Sequence, residues 1–387
     1  VARFTRRQKV FILLFVLVAS VGCTGAVLLH PVGPHLRAIS LLLHFSDPQA
    51  HGLAASFAHH PFKEEDGSAQ TPQGPLRYRL YIPQDVKNPG GIVLLHGIHH
   101  LGISDPRMWN LARSLAGAGV LVMTPELQDL ADYRVTVRTI DAIGDSAAVL
   151  STRMNKTVGV IGLSFAGGLS LLAANRPEYR DRIGFVVAIG AHDDMGRVAR
   201  SFAANVITLP NGNDVPFQAH EYGVLVLAYS HLEDFFSPQD VPIAREALRQ
   251  WLWELPDAMK TASALSPAGQ KEFDLLLHHR DLLRDTLLAE IKLHKDEMDA
   301  VSPHGQLAQL RTTVFLLHGA GDTIIPASET LWLAKDVPPA ELKSALVSPA
   351  LIHVDMGSTV TWQQQWQLAD FMAQVLDAAD RLQKPHN

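Results

Sequence analysis

Residues 157–175 read TVGVIGLSFAGGLSLLAAN. The stretch opens on a β-branched apolar run over 157–161. It passes through the tight sequence Gly162-Leu163-Ser164-Phe165-Ala166-Gly167-Gly168, then continues into helix formers without a breaker over 169–174. Strand, turn of small residues and helix, in that order, is the context of a nucleophile elbow. Small neighbours let strand and helix approach closely, and the serine between them takes a strained backbone conformation. The start of the helix also aims free N–H groups at whatever the serine attacks. A glycine-rich turn cradling a phosphate is the competing reading, but no lysine follows the glycines as a P-loop requires.

The same alternation extends outward on both sides. Residues 77–82 alternate and stop at Pro83, which predicts a strand. After Gly90-Gly91, the continuous apolar run 92–95 suits a central parallel strand and ends in His96-Gly97-Ile98-His99-His100. A helical stretch around 108–117, a strand over 120–124, a helix over 131–150 and a strand over 185–189 follow. That last strand ends in Gly190-Ala191-His192-Asp193-Asp194. From about 195 to 310 the alternation stops. Residues 205–217 read as loop, and 243–255 and 272–298 as helices, the second long and amphipathic. The apolar residues of this insertion either line an acyl or alkyl pocket or form only its own small core. Strands return at 312–317, leading to His318-Gly319-Ala320-Gly321-Asp322, and at 344–348, followed by the loop with His353; a helix over 362–382 closes the chain. The expectation is an α/β protein with a mostly parallel, doubly wound sheet.

In such sheets the working residues sit at the C-terminal ends of strands. Ser164, Asp322 and His353 all follow predicted strands, and in that order they form a nucleophile, an acid and a base. Serine is a weak nucleophile without a base in reach; His353 would take its proton and return it to the leaving group, and Asp322 would fix the imidazole tautomer. Asp193, after the strand at 185–189, is the alternative acid. The developing oxyanion needs two N–H donors, expected from Phe165 and from Ile98 in the loop beyond His96. The His96 side chain itself is expected to pack and hydrogen-bond locally.

These residues resemble the α/β-hydrolase superfamily. The likeness rests on His96-Gly97-Ile98, on Gly162-Leu163-Ser164-Phe165-Ala166-Gly167, on His318-Gly319-Ala320-Gly321-Asp322 and on His353. It covers residues 77–194 and 312–382, with Ala166 standing where the family pattern usually has glycine. The resemblance implies an eight-stranded-type sheet, a helical cap inserted after the sixth strand, and hydrolysis through an acyl-serine intermediate. The expected organisation is a membrane anchor or signal segment at 1–30, a linker or amphipathic segment at 31–75, core at 76–194, cap at 195–310 and core again at 311–387. The expected activity is that of a carboxylesterase or lipase-like serine hydrolase acting on a small or lipid-like ester, or on a thioester or amide. A non-catalytic binding protein on the same fold, and an acyltransferase using the same triad, are the alternatives.

Composition narrows the partners. A net charge of −6 and a chain of 47% hydrophobic and 19% charged residues give no electrostatic case for nucleic acid. Cys23 is the one cysteine, so no intrachain disulfide forms. Arg3, Arg6, Arg7 and Lys9 precede an uncharged run over 10–29, long enough to cross a bilayer as a helix. Basic residues ahead of it place the remainder outside the cytoplasm, as a single-pass protein of the cytoplasmic membrane. A cleaved secretory signal and a lipoprotein signal using Cys23 are the other readings. Nineteen histidines include the pairs His59-His60, His99-His100 and His278-His279, but adjacent side chains do not share a face, and no HExxH or CxxC occurs. Neither a metal nor any other cofactor is expected.

Overall fold

The computed structural model describes residues 33–352, 355–356 and 361–382. The segment over 10–29 and His353 lie outside the described residues. Among the described residues no helix is long and apolar enough to cross a membrane.

Eight strands form one sheet: β1 (Phe62–Thr71), β2 (Gly74–Pro83), β3 (Gly91–Leu95), β4 (Leu121–Pro125), β5 (Val158–Leu163), β6 (Ile183–Ile189), β7 (Thr313–Gly319) and β8 (Leu342–Ser348). Their spatial order is β1-β2-β4-β3-β5-β6-β7-β8. β1 runs antiparallel to β2 and β2 antiparallel to β4; every pair from β4 to β8 is parallel. β3, β4 and β5 are buried at every position, as the unbroken apolar runs predict for strands covered on both faces. One face carries α3 (Val137–Met154) and α4 (Phe165–Asn175), packed through Ile140, Ile143, Leu150, Leu169 and Leu172 onto Val93, Leu95, Val158 and Val160. The other carries α2 (Pro106–Gly117) and α12 (Trp362–Asp380), packed onto Ile92, Leu94, Ile161 and Phe315, with α1 (Gly33–Ser46) lying against these two helices. Each such aliphatic side chain contributes about 1.5–3 kcal/mol when fully buried.

The segment ahead of Gly74 departs from the sequence reading. Residues 59–73 read as polar loop, yet β1 spans most of them and pairs over its whole length with β2. Its side chains lie mostly toward solvent, and Arg79 of β2 clasps Asp66 of β1. An edge strand needs no apolar face, and charge along it discourages pairing with another chain; hydrophobic patterning therefore misses it. α1, read as an amphipathic segment, lies on the core, with Ala38 and Leu41 buried against α2 and α12.

Between β6 and β7 the chain leaves the sheet. It forms α5 (Met195–Ala204), a short two-stranded ribbon (Val206–Thr208 with Asp214–Pro216), α6 (Tyr222–Ser230), α7 (Val241–Leu252), α8 (Pro267–His278), α9 (Arg284–Leu293) and α10 (Lys295–Ala300). The helix expected over 272–298 is three helices separated near His279 and His294. Straight, it would run about 40 Å. Broken, it folds its Phe273, Leu276, Leu283 and Leu287 into one apolar cluster with Val224, Leu248 and Phe202. The last core helix before the C-terminal strand, α11, is Ser328–Asp336.

Candidate active site

Ser164 lies between the end of β5 and the start of α4, buried, with φ 56° and ψ −133°. A non-glycine residue in this region costs on the order of 1–3 kcal/mol and persists only where its surroundings over-determine it. They do so here. The Ser164 N–H donates to the Ile189 carbonyl of β6 at 2.7 Å, and the Ser164 carbonyl accepts from Gly167 N–H at 2.9 Å. A Cβ on Gly162 would stand 2.5 Å from the Ala166 carbonyl oxygen, so only glycine lets strand and helix meet this closely. The Ala166 methyl, where the family pattern has glycine, is buried in the core on the α3–α4 face. As the first helical residue, Phe165 has an N–H with no intrahelical acceptor, beside the serine.

The loop after β3 crosses in front of the serine. A Cβ on Gly97 would approach Ser164 Cβ to 3.0 Å, so the backbone itself forms that wall. His96 holds this loop from both ring nitrogens: Nδ1 donates to the Gly97 carbonyl at 2.7 Å and Nε2 accepts from Leu127 N–H at 3.0 Å. The two partners require the neutral tautomer protonated on Nδ1. Burial pushes the His96 pKa down to about 4, against the opposing pull of the Gly97 carbonyl. The Gly97 carbonyl and the Ile98 N–H belong to one peptide plane, so His96 fixes the direction of the N–H expected to complete the oxyanion hole. Beyond it, the Ile98 carbonyl accepts from Tyr222 of the cap at 3.4 Å.

Asp322 sits in the turn after β7, almost fully buried. Its Oδ1 accepts from Ile324 N–H at 2.8 Å and Ile325 N–H at 3.1 Å, which fixes the carboxylate plane. Its Oδ2 lies 3.4 Å from where a Cβ on Gly190 would stand, and Gly190 follows the Ile189 whose carbonyl holds Ser164. Serine and aspartate therefore occupy the C-terminal edge of three adjacent strands, β5, β6 and β7. Asp193 is engaged elsewhere. Its Oδ2 accepts from Arg197 at 2.7 Å and lies 3.3 Å from His304, whose ring is bound to Asp336. The backbone N–H groups of Asp193 and Asp194 both donate to Glu329, which also pairs with Arg197. Burial raises the Asp193 pKa, with Arg197 opposing. This network ties the entry and exit of the cap to α11. His353 lies beyond the described residues.

The space beside Ser164 is a cavity of about 50 Å³ lined by the loop 96–99 and by Asp105, Arg107 and Met108. It admits a few water-sized groups. Asp105 and Arg107 are absent from the sequence reading. The signal was there, since Asp105 before Pro106 marks a helix start, and Asp105 does cap α2 through the Arg107 N–H. A larger, mostly apolar cavity of about 230 Å³ lies between the cap and residues 134–136 ahead of α3, lined on the cap side by Met195, Phe202, Leu227 and Met298 together with His231 and Glu297. The cap's other apolar side chains pack into a cluster that also takes in Phe165 beside Ser164.

The sheet order, the elbow at Ser164 and the insertion after the sixth strand define the α/β-hydrolase fold. No protein-family model matches the sequence, and no curated protein matches it. Among solved structures, an esterase of Pyrobaculum calidifontis is similar at a TM-score of 0.46 and 14% identity, over 91% of this chain and 93% of that one. A serine hydrolase from Cycloclasticus zankles gives 0.46 at 16% identity, over 81% and 98% of the two chains. An acylaminoacyl peptidase of Pyrococcus horikoshii gives 0.48 at 12% identity, over 84% of this chain and 42% of that one. Similarity at this level concerns the fold and carries no substrate.

Proposed function

We propose that this chain is a serine hydrolase that cleaves a carboxylic ester. Ser164 Oγ attacks the ester carbonyl carbon while His353 takes its proton. The tetrahedral oxyanion is held by the N–H groups of Phe165 and Ile98. The carbonyl re-forms, the alcohol leaves with the proton from His353, and the acyl group stays on Ser164. Water then attacks the acyl-serine with His353 as base, releasing the carboxylic acid and free Ser164. Asp322 orients His353 and stabilises its protonated form. The observation that carries this reading is the strained Ser164 at the head of α4, faced by a loop whose peptide is clasped by His96. Turnover of p-nitrophenyl esters of increasing acyl length tests it. Steady release of nitrophenol with a length optimum is expected; a folded protein that turns over none of the series, and no thioester or amide, contradicts it.

His96 then acts as a positioning residue. His96→Ala is expected to lower kcat by roughly 10–100-fold with little change in KM, since the loss falls on transition-state binding. His96→Asn keeps a donor near the Gly97 carbonyl and should recover part of that loss. The same variant reports on pH. Between pH 6.5 and about 4 the unfolded chain protonates His96 while the folded chain does not, so wild-type stability falls as pH is lowered through that window. Asparagine does not titrate, so the variant should gain on wild type by up to about 3 kcal/mol across it. A KM effect without a kcat effect, or parallel stability curves, would count against the clasp.

A further inference from the structure

On the outer side of the cap, the single turn Leu232–Asp234 meets the end of α9 and the start of α10. Five ionisable side chains converge there. Asp234 Oδ2 lies 2.7 Å and Glu290 Oε2 3.6 Å from the same nitrogen, His294 Nε2. Glu290 and His294 are one helical turn apart on α9 and its C-cap, so they share a face. The other ring nitrogen, His294 Nδ1, is 3.6 Å from Glu297 Oε1, and Glu297 Oε2 takes a hydrogen bond from His231 Nε2 at 3.1 Å. The two imidazoles stack at 3.5 Å, a separation that opposes charging both at once.

Two features set this cluster apart from ordinary surface ion pairs. Among the described residues no Lys or Arg pairs with Asp234, Glu290 or Glu297; their ion-pair partners are the two imidazoles. Glu290 Oε2 is buried, faces His294 and has no hydrogen-bond partner.

We propose that Asp234, Glu290 and His294 Nε2 bind a zinc-class divalent ion that fastens the turn after α6 to α9. The atoms of this triad lie within 4.8 Å of one another. Ligands of a tetrahedral zinc stand about 3.3 Å apart, and the two separations from His294 Nε2 bracket that value. An imidazole beside two carboxylates favours zinc over calcium or magnesium, which prefer all-oxygen shells. Glu297 stands 3.6 Å from the second ring nitrogen, close to where a ligating imidazole seeks a carboxylate, and His231 in turn holds Glu297. His231 and Glu297 also line the 230 Å³ cavity, so the ion would stiffen its cap side.

The test uses the full chain, stripped with EDTA and titrated with zinc chloride, read by calorimetry and by thermal unfolding. One zinc per chain is expected, with a rise in Tm of about 4 °C at a hundredfold excess over Kd. Glu290→Gln should abolish that rise while leaving the metal-free Tm equal or higher, because it removes carboxylate repulsion. His231→Ala should weaken binding roughly tenfold. His304→Ala, at the other histidine–carboxylate cluster, should bind zinc as wild type does. If the cluster is only a protonated-histidine salt-bridge network, Glu290→Gln lowers the metal-free Tm and zinc shifts neither protein, and the proposal fails. It fails equally if all variants bind zinc alike. None of these readouts depends on hydrolysis.

Discussion

Ser164→Gly is expected to lose turnover by roughly 10⁴–10⁶-fold and yet to melt above the wild type. The two effects come from one backbone. At φ 56° and ψ −133° a serine is held in a region that glycine enters freely. Relief of that strain, about 1–3 kcal/mol, exceeds the added chain entropy of glycine, about 0.5–1 kcal/mol. The net gain of about 1 kcal/mol corresponds to roughly 1–1.5 °C in a chain of this size. With Ser164 as the proposed nucleophile, removing its hydroxyl leaves only what binding and the oxyanion donors supply, which sets the size of the kinetic loss. Ser164→Ala should show the same kinetic loss without the stability gain. Parallel kinetics and melting curves on the three proteins check this. A glycine variant that is both inactive and less stable would mean that the elbow is not strained as described.

Asp322→Asn is expected to reduce kcat by about 10³–10⁴-fold with little loss of stability, while Asp193→Asn does the reverse. The Asp322 carboxylate is held by two backbone N–H groups, which an asparagine oxygen can still accept. The fold therefore survives, but the amide no longer stabilises a protonated imidazole. The Asp193 side chain is closed to solvent and pairs with the partly buried Arg197. The Asp193 charge is already held against burial, so neutralising it removes mainly the charge-assisted hydrogen bond to Arg197 and should cost on the order of 1–3 kcal/mol, with Glu329 and Asp194 still facing the guanidinium. Activity scaled to the folded fraction should then be near wild type. If Asp193→Asn were the variant that loses kcat, the acid would sit after β6 rather than after β7.

The sheet was readable because burial on both faces writes unbroken runs: 92–95, 157–161 and 312–317 need no partner to be recognised. The strained turn at Ser164 was readable because such a turn demands small residues at fixed places: Gly162 lies against the Ala166 backbone and Gly97 against Ser164 Cβ. β1 was not readable, because an exposed edge strand carries no periodic apolar signal and is specified by its hairpin with β2. The cap was readable as an interruption but not in its helices, since the breaks near His279 and His294 follow from how the pieces fold onto one core. The role of His96 needed coordinates, because its clasp depends on Leu127, thirty-one residues away. The cap cluster had half a signal: Glu290 and His294 stand at ligand spacing, but Asp234 comes from a turn 56 residues earlier. Adjacent histidine pairs, which draw the eye in the sequence, took no part in it.

A fluorophosphonate probe followed by peptide mass mapping reads directly whether Ser164 is an activated nucleophile. One probe per chain is predicted, on the peptide carrying Ser164, with labelling lost in Ser164→Ala and strongly slowed in His353→Ala. Equal labelling of wild type and Ser164→Ala, or an adduct on any other residue, would contradict the account.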